Sequence, residues 1–119
     1  MAKTRSQHVT YVDGEKVIRG SGNIYADLGL PNAGDLLARA QLLDAIQSVI
    51  VERRLTQTKV ALLSGVKQPK LSVLLTGNTH GFTAERLMRI LNALGQDVEI
   101  RIGPAQTDDA GHTWVHTSG

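Results

Sequence analysis

The stretch from Gln57 to Gly77 constrains the fold more than any other part of the chain. Two short helices that cross steeply need a small residue where one passes over the other. They also need a turn residue that tolerates positive φ, and apolar anchors on one face only of the second helix. Ala61 is the small residue, Gly65 stands four positions later, and Val66 follows as an apolar plug. Leu71 and Leu74 are three apart and so share a helix face. Thr56 can cap the first helix, predicted over Gln57–Ser64 with Val60, Ala61 and Leu63 inward. Pro69 falls in the first turn of the second, predicted over Gln68–Leu75, where its missing N–H costs nothing.

The surrounding sequence reads as helices around that pair. From Ala33 to about Arg54, apolar residues recur with helical spacing at Leu36, Leu37, Ala40, Leu43, Ile46, Val49 and Ile50. Asn32 can cap that helix, and Asp35 suits its first turn. Thr83 caps a further helix through Leu94, with Leu87, Ile90, Leu91 and Leu94 on its buried side and Gly95 as its stop. Val98, Ile100 and Ile102 then alternate with Glu99 and Arg101, the pattern of a one-sided strand. A lone strand cannot satisfy its own hydrogen bonds, so this one calls for a partner: the N-terminal hairpin, the same strand of a second copy, or another protein. We take pairing across a dimer as the expectation, with Val98, Ile100 and Ile102 at the interface.

The expected architecture is therefore mainly α: a compact bundle of about five helices with a C-terminal strand. Residues 1–32 form an N-terminal arm with room for a short hairpin about Asp13-Gly14. Residues 33–95 form the helical domain, residues 96–103 the strand, and residues 104–119 a flexible polar tail. The low aromatic content, 3%, agrees with a core of Leu, Ile, Val and Ala in packed helices rather than a β-sandwich.

Composition removes several function classes. The chain has no cysteine, which excludes thiolate catalysis and cysteine-ligated zinc. No apolar run is long enough for a membrane span, and no apolar stretch follows the N-terminal residues as a secretory signal would, so the expected location is cytoplasmic. Gly20-Ser21-Gly22 opens like a dinucleotide fingerprint, but Tyr25 stands where its third glycine belongs. His112 and His116 lie four apart with Asp108 and Asp109 nearby, yet Gly111 and Thr113 make a poor helix to present them to a metal. No serine has a His and a carboxylate close in sequence. Neither an enzyme nor a cofactor or metal site is expected.

Charge is distributed unevenly although the net is only +2. Residues 33–95 carry eight basic and four acidic side chains, whereas residues 96–119 carry one basic and four acidic. From Arg53 to Ala84 there is no Asp or Glu, while Arg53, Arg54, Lys59, Lys67 and Lys70 all fall there. Such a stretch suits a surface that meets a polyanion.

The Gln57–Gly77 unit has the pattern of a helix-turn-helix. Leu55-Thr56-Gln57, Val60-Ala61, Gly65-Val66, Gln68-Pro69-Lys70-Leu71-Ser72 and Gly77 together resemble the lambda-repressor/Cro-like, or XRE-type, DNA-binding family. Phe82-Thr83 and Leu87 to Gly95 are similar to that family's last helix, so the likeness spans about residues 33–95. Ser64 departs from it, standing where a large apolar residue is usual. Gly22 to Leu30 and the strand after Gly95 resemble a subgroup of small regulators, often antitoxins paired with a RelE/HigB-like ribosome-dependent mRNA endonuclease.

The resemblance implies a transcriptional regulator that binds double-stranded DNA, and in the subgroup an autorepressing antitoxin. With Leu71 and Leu74 inward, Pro69, Ser72, Val73 and Thr76 point outward and Gln68 and Lys70 flank them. The likeness implies that this face enters the major groove. Gln68 can pair with adenine, Ser72 with several bases, and Val73 can touch a thymine methyl. Lys67 and Lys70 suit phosphates at the groove edge, and Gln57 suits a phosphate beside free helix-end amides. Thr76, Asn78 and His80 follow the recognition helix and would hold the backbone. Expected partners are double-stranded DNA, a second copy and, in the subgroup, a toxin. The alternative is a protein-interaction module on the same fold without DNA binding.

Overall fold

The computed structural model describes residues 8–12, 15–19, 33–106 and 110–117. Among them run two strands, β1 (His8–Val12) and β2 (Glu15–Arg19), and four helices, α1 (Ala33–Arg53), α2 (Gln57–Ser64), α3 (Gln68–Leu75) and α4 (Ala84–Ala93). Of the about five helices expected, four lie among the described residues. β1 and β2 are antiparallel, with Val12 opposite Glu15 and His8 opposite Arg19, so two residues, Asp13 and Gly14, join them. The Asn32 cap, the Gly20-Ser21-Gly22 stretch, the Gly22–Leu30 likeness and the Asp108/Asp109 pair lie outside the described residues.

The chain divides into two units, residues 1–41 with 105–119, and residues 42–104. In the first, Asp35 and Arg39 form an i,i+4 ion pair at 3.0 Å on α1. The Val115 backbone N–H donates to Gln41 Oε1 at 2.7 Å, and Trp114 and Val115 are half-buried. This part of the segment expected as a free tail is therefore held.

The second unit holds the site. Its core is apolar throughout: Leu42, Leu43, Ala45, Ile46 and Val49 from α1, Val60 from α2, Leu71 and Leu74 from α3, and Leu87, Ile90 and Leu91 from α4, closed by Val66, Phe82 and Leu94. Among the described residues no polar or charged side chain is buried, so nothing in this core carries an unmet desolvation cost.

Each helix end has a chemical cause. Arg54 ends α1 in the left-handed region, at φ +55°, and the Leu55 N–H returns to the Ile50 carbonyl at 2.9 Å. Arg53, in the last turn of α1, donates to the Leu94 carbonyl at the end of α4 and ties the two termini together. Thr56 and Thr83 cap α2 and α4 by accepting from the amides of Lys59 and Arg86. Gly65 ends α2 at φ +77°, and its N–H donates to the Ala61 carbonyl.

Two expectations are corrected here. Leu63 is 40% exposed rather than core, and its neighbour Leu62 is more exposed still. The α2 face that packs inward centres on Val60 and half-buried Ala61. Ser64, the departure from the family pattern, accepts the Val66 N–H through its hydroxyl at 3.2 Å and so helps close the turn. The second concerns residues 96–103: within this single chain Val98, Ile100 and Ile102 lie outside any strand, and among the described residues no segment pairs with them. Ile100 and Ile102 are exposed and Val98 is half-buried.

Candidate nucleic-acid interface

The helix-turn-helix unit is α2, the turn about Gly65, and α3. Leu71 and Leu74 are fully buried and fix which way α3 faces. The rest of its first two turns then points to water: Lys67, Gln68, Pro69, Lys70, Ser72 and Val73 are all exposed. Val73, at 51% exposure, is an apolar side chain with no core role, as a thymine-methyl contact would need.

The unit is anchored at several points. Lys67 is the N-cap of α3; its ammonium cannot accept from the helix amides and is exposed, which leaves both the amides and the cation open to an external anion. The Gln68 amide lies 3.5 Å from the Thr58 hydroxyl, which brings the start of α3 to the first turn of α2. At the other end, Gln47 of α1 donates through Nε2 to the Leu75 carbonyl at 2.9 Å. That bond satisfies one of the carbonyls a helix end leaves open and fixes the tilt of α3 on α1.

Gln57 is exposed as the first residue of α2. Its cap, Thr56, accepts from Lys59, and the remaining free amides of a helix start are suited to a phosphate oxygen. The residues after α3 divide into two kinds. Thr76 donates its hydroxyl proton to the Val73 carbonyl at 2.6 Å, so toward DNA it can act only as an acceptor or by contact. Asn78 accepts the His80 N–H at 2.9 Å, which shapes the loop and leaves the amide NH2 of Asn78 to reach outward. His80 itself is exposed. Gly77 and Gly81, both at positive φ, flank this loop.

The geometry also supplies residues that sequence reasoning missed. Thr58 holds Gln68. Phe82 is buried, with Lys70 Nζ 5.2 Å and Arg86 Cζ 4.7 Å from its ring centroid. The Thr58–Gln68 and Lys70–Phe82 contacts join residues ten and twelve positions apart and have no local sequence signal, whereas Phe82 and Arg86 are four apart at the start of α4.

Among the described residues no three His, Cys, Asp or Glu side chains come together as a metal site. Nor is any helix among them long and apolar enough to cross a membrane.

An exposed face on the second helix, two buried leucines behind it and a glycine turn before it define a helix-turn-helix protein. The family comparison agrees: residues 24–103 match the helix-turn-helix domain family, and the chain belongs to it. A solved structure assigned to the XRE family of transcriptional regulators is similar to this chain at 39% identity and a TM-score of 0.63. The match covers 73% of this chain and 100% of that one. No curated protein matches the chain.

Proposed function

We propose that this protein is a transcriptional regulator that binds double-stranded DNA in a sequence-specific way, with α3 in the major groove. One observation carries the reading most. The exposed face of α3 presents Lys67, Gln68, Pro69, Lys70, Ser72 and Val73 over buried Leu71 and Leu74, within a stretch that has no carboxylate. Phosphate and base edges are the targets such a mixed basic and polar face recognises. The XRE-family neighbour supports the same reading.

A single α3 spans only a few base pairs, so the working form is a homodimer on two half-sites about 10 base pairs apart. Exposed Ile100 and Ile102, with Val98, supply an apolar edge for the second copy. Selection of duplexes from a random pool tests both points. An enriched inverted repeat with that spacing, lost in Gln68→Ala/Ser72→Ala, is the expected result. A pool with no enrichment overturns sequence-specific recognition.

The finer role is that of an autorepressing antitoxin, supported by the likeness of Gly22–Leu30 to the antitoxin subgroup. Co-expression with the adjacent reading frame tests it. A complex that co-purifies, and relief of growth arrest, are expected. An adjacent product that is harmless and unbound removes the antitoxin role and leaves the regulator.

A further inference from the structure

We infer that Arg86 is a phosphate contact, and that Phe82 holds it together with Lys70 as a paired cationic clamp at the edge of the recognition helix. This rests on the DNA-binding reading and adds to it one contact residue and one positioning residue.

Lys70 lies on α3 and Arg86 on α4, sixteen positions apart, yet both cations rest on the same ring, at 5.2 and 4.7 Å from its centroid. The ring is almost wholly buried, so Phe82 is itself immobile. Cations within about 6 Å of an aromatic centroid are attracted to its electron-rich face. Like charges otherwise repel, and two long side chains otherwise sample many rotamers. One fixed ring therefore gathers two positive charges and restricts where they point. The stretch from Arg53 to Ala84 has no acid, and Glu85, which follows, pairs with Arg89 at 2.7 Å. The Arg86 backbone N–H is engaged by Thr83, which locks the residue into the first turn of α4. Concentrated, pre-oriented positive charge beside an exposed α3 is suited to the phosphates that flank a groove, where pre-ordering lowers the cost of binding.

The test uses the full-length protein, a selected duplex and a scrambled duplex, with affinity measured over a salt series. Arg86→Gln is expected to lower the salt slope by about 1.8 and to weaken both duplexes by the same factor, as the loss of one phosphate contact from each protomer of the dimer does. Arg89→Gln, which removes a cation already held by Glu85, is expected to leave the slope unchanged. The positioning role of Phe82 is read separately. Phe82 is the chain's one phenylalanine, so growth on trifluorophenylalanine changes that ring alone. Fluorination keeps the shape and withdraws the electron density that attracts cations. Affinity is expected to fall roughly two- to five-fold with the melting temperature held, the scale of a partly exposed cation–π contact. A salt slope in Arg86→Gln equal to wild type, or an equal loss in Arg89→Gln, overturns the contact. Unchanged affinity in the fluorinated protein overturns the positioning. Wild-type protein that binds neither duplex at low salt overturns the DNA reading itself, a different result from either.

Discussion

At the residue scale the turn depends on backbone conformation rather than on side-chain contact. Gly65 sits at φ +77° with open space where a Cβ would stand. Gly65→Ala therefore meets no clash and costs only the left-handed conformation, about 1–2 kcal/mol, readable as a lower chemical-denaturation midpoint. Arg54 presents the opposite case, since a residue with a side chain already occupies that region at φ +55°. Arg54→Gly is expected to raise stability by roughly 0.5–1 kcal/mol, because glycine adopts the conformation without strain. A loss of stability there would mean that the Arg54 side chain makes a contact worth more than the strain.

At the element scale, what was legible in the sequence depended on whether the signal was local. The spans of α2 and α3 could be read because Thr56, Gly65, Pro69 and Gly77 mark their ends by backbone chemistry within a few residues. The inward face of α3 followed from two leucines three apart. Leu63 is apolar yet exposed, because α2 is short and turns only one edge toward the core. The Phe82 clamp was invisible because it joins α3 to α4 through space. Residues 98–102 stand apart. Their alternation is real, but a strand exists only with a neighbour, and none of the described residues of one chain supplies it. Ile100→Asp/Ile102→Asp places charge on that exposed edge. The expected outcome is a monomer by light scattering with the melting temperature of the helical domain nearly intact. A dimer that survives both charges would place the twofold contact elsewhere.

At the scale of the whole molecule, recognition is a matter of charge placed against an apolar scaffold. The core of residues 42–104 contains no polar side chain, so every cation from Arg53 to Arg89 is available at the surface or engaged by a named partner. A net charge of +2 gives little attraction on its own, which makes the local carboxylate-free stretch decisive. Binding should therefore depend on a few ordered contacts, with base contacts from Gln68, Ser72 and Val73 setting preference. The most direct measurement is affinity for the DNA upstream of the protein's own reading frame against a scrambled duplex, from low to moderate salt. If each protomer neutralises three phosphates through Lys67, Lys70 and Arg86, a dimer gives a log–log salt slope of about −5. That slope, with upstream DNA bound at least a hundred-fold more tightly than scrambled, or about 3 kcal/mol, is the expected result. Equal and shallow binding to both duplexes, or none at low salt, would contradict sequence-specific recognition by α3.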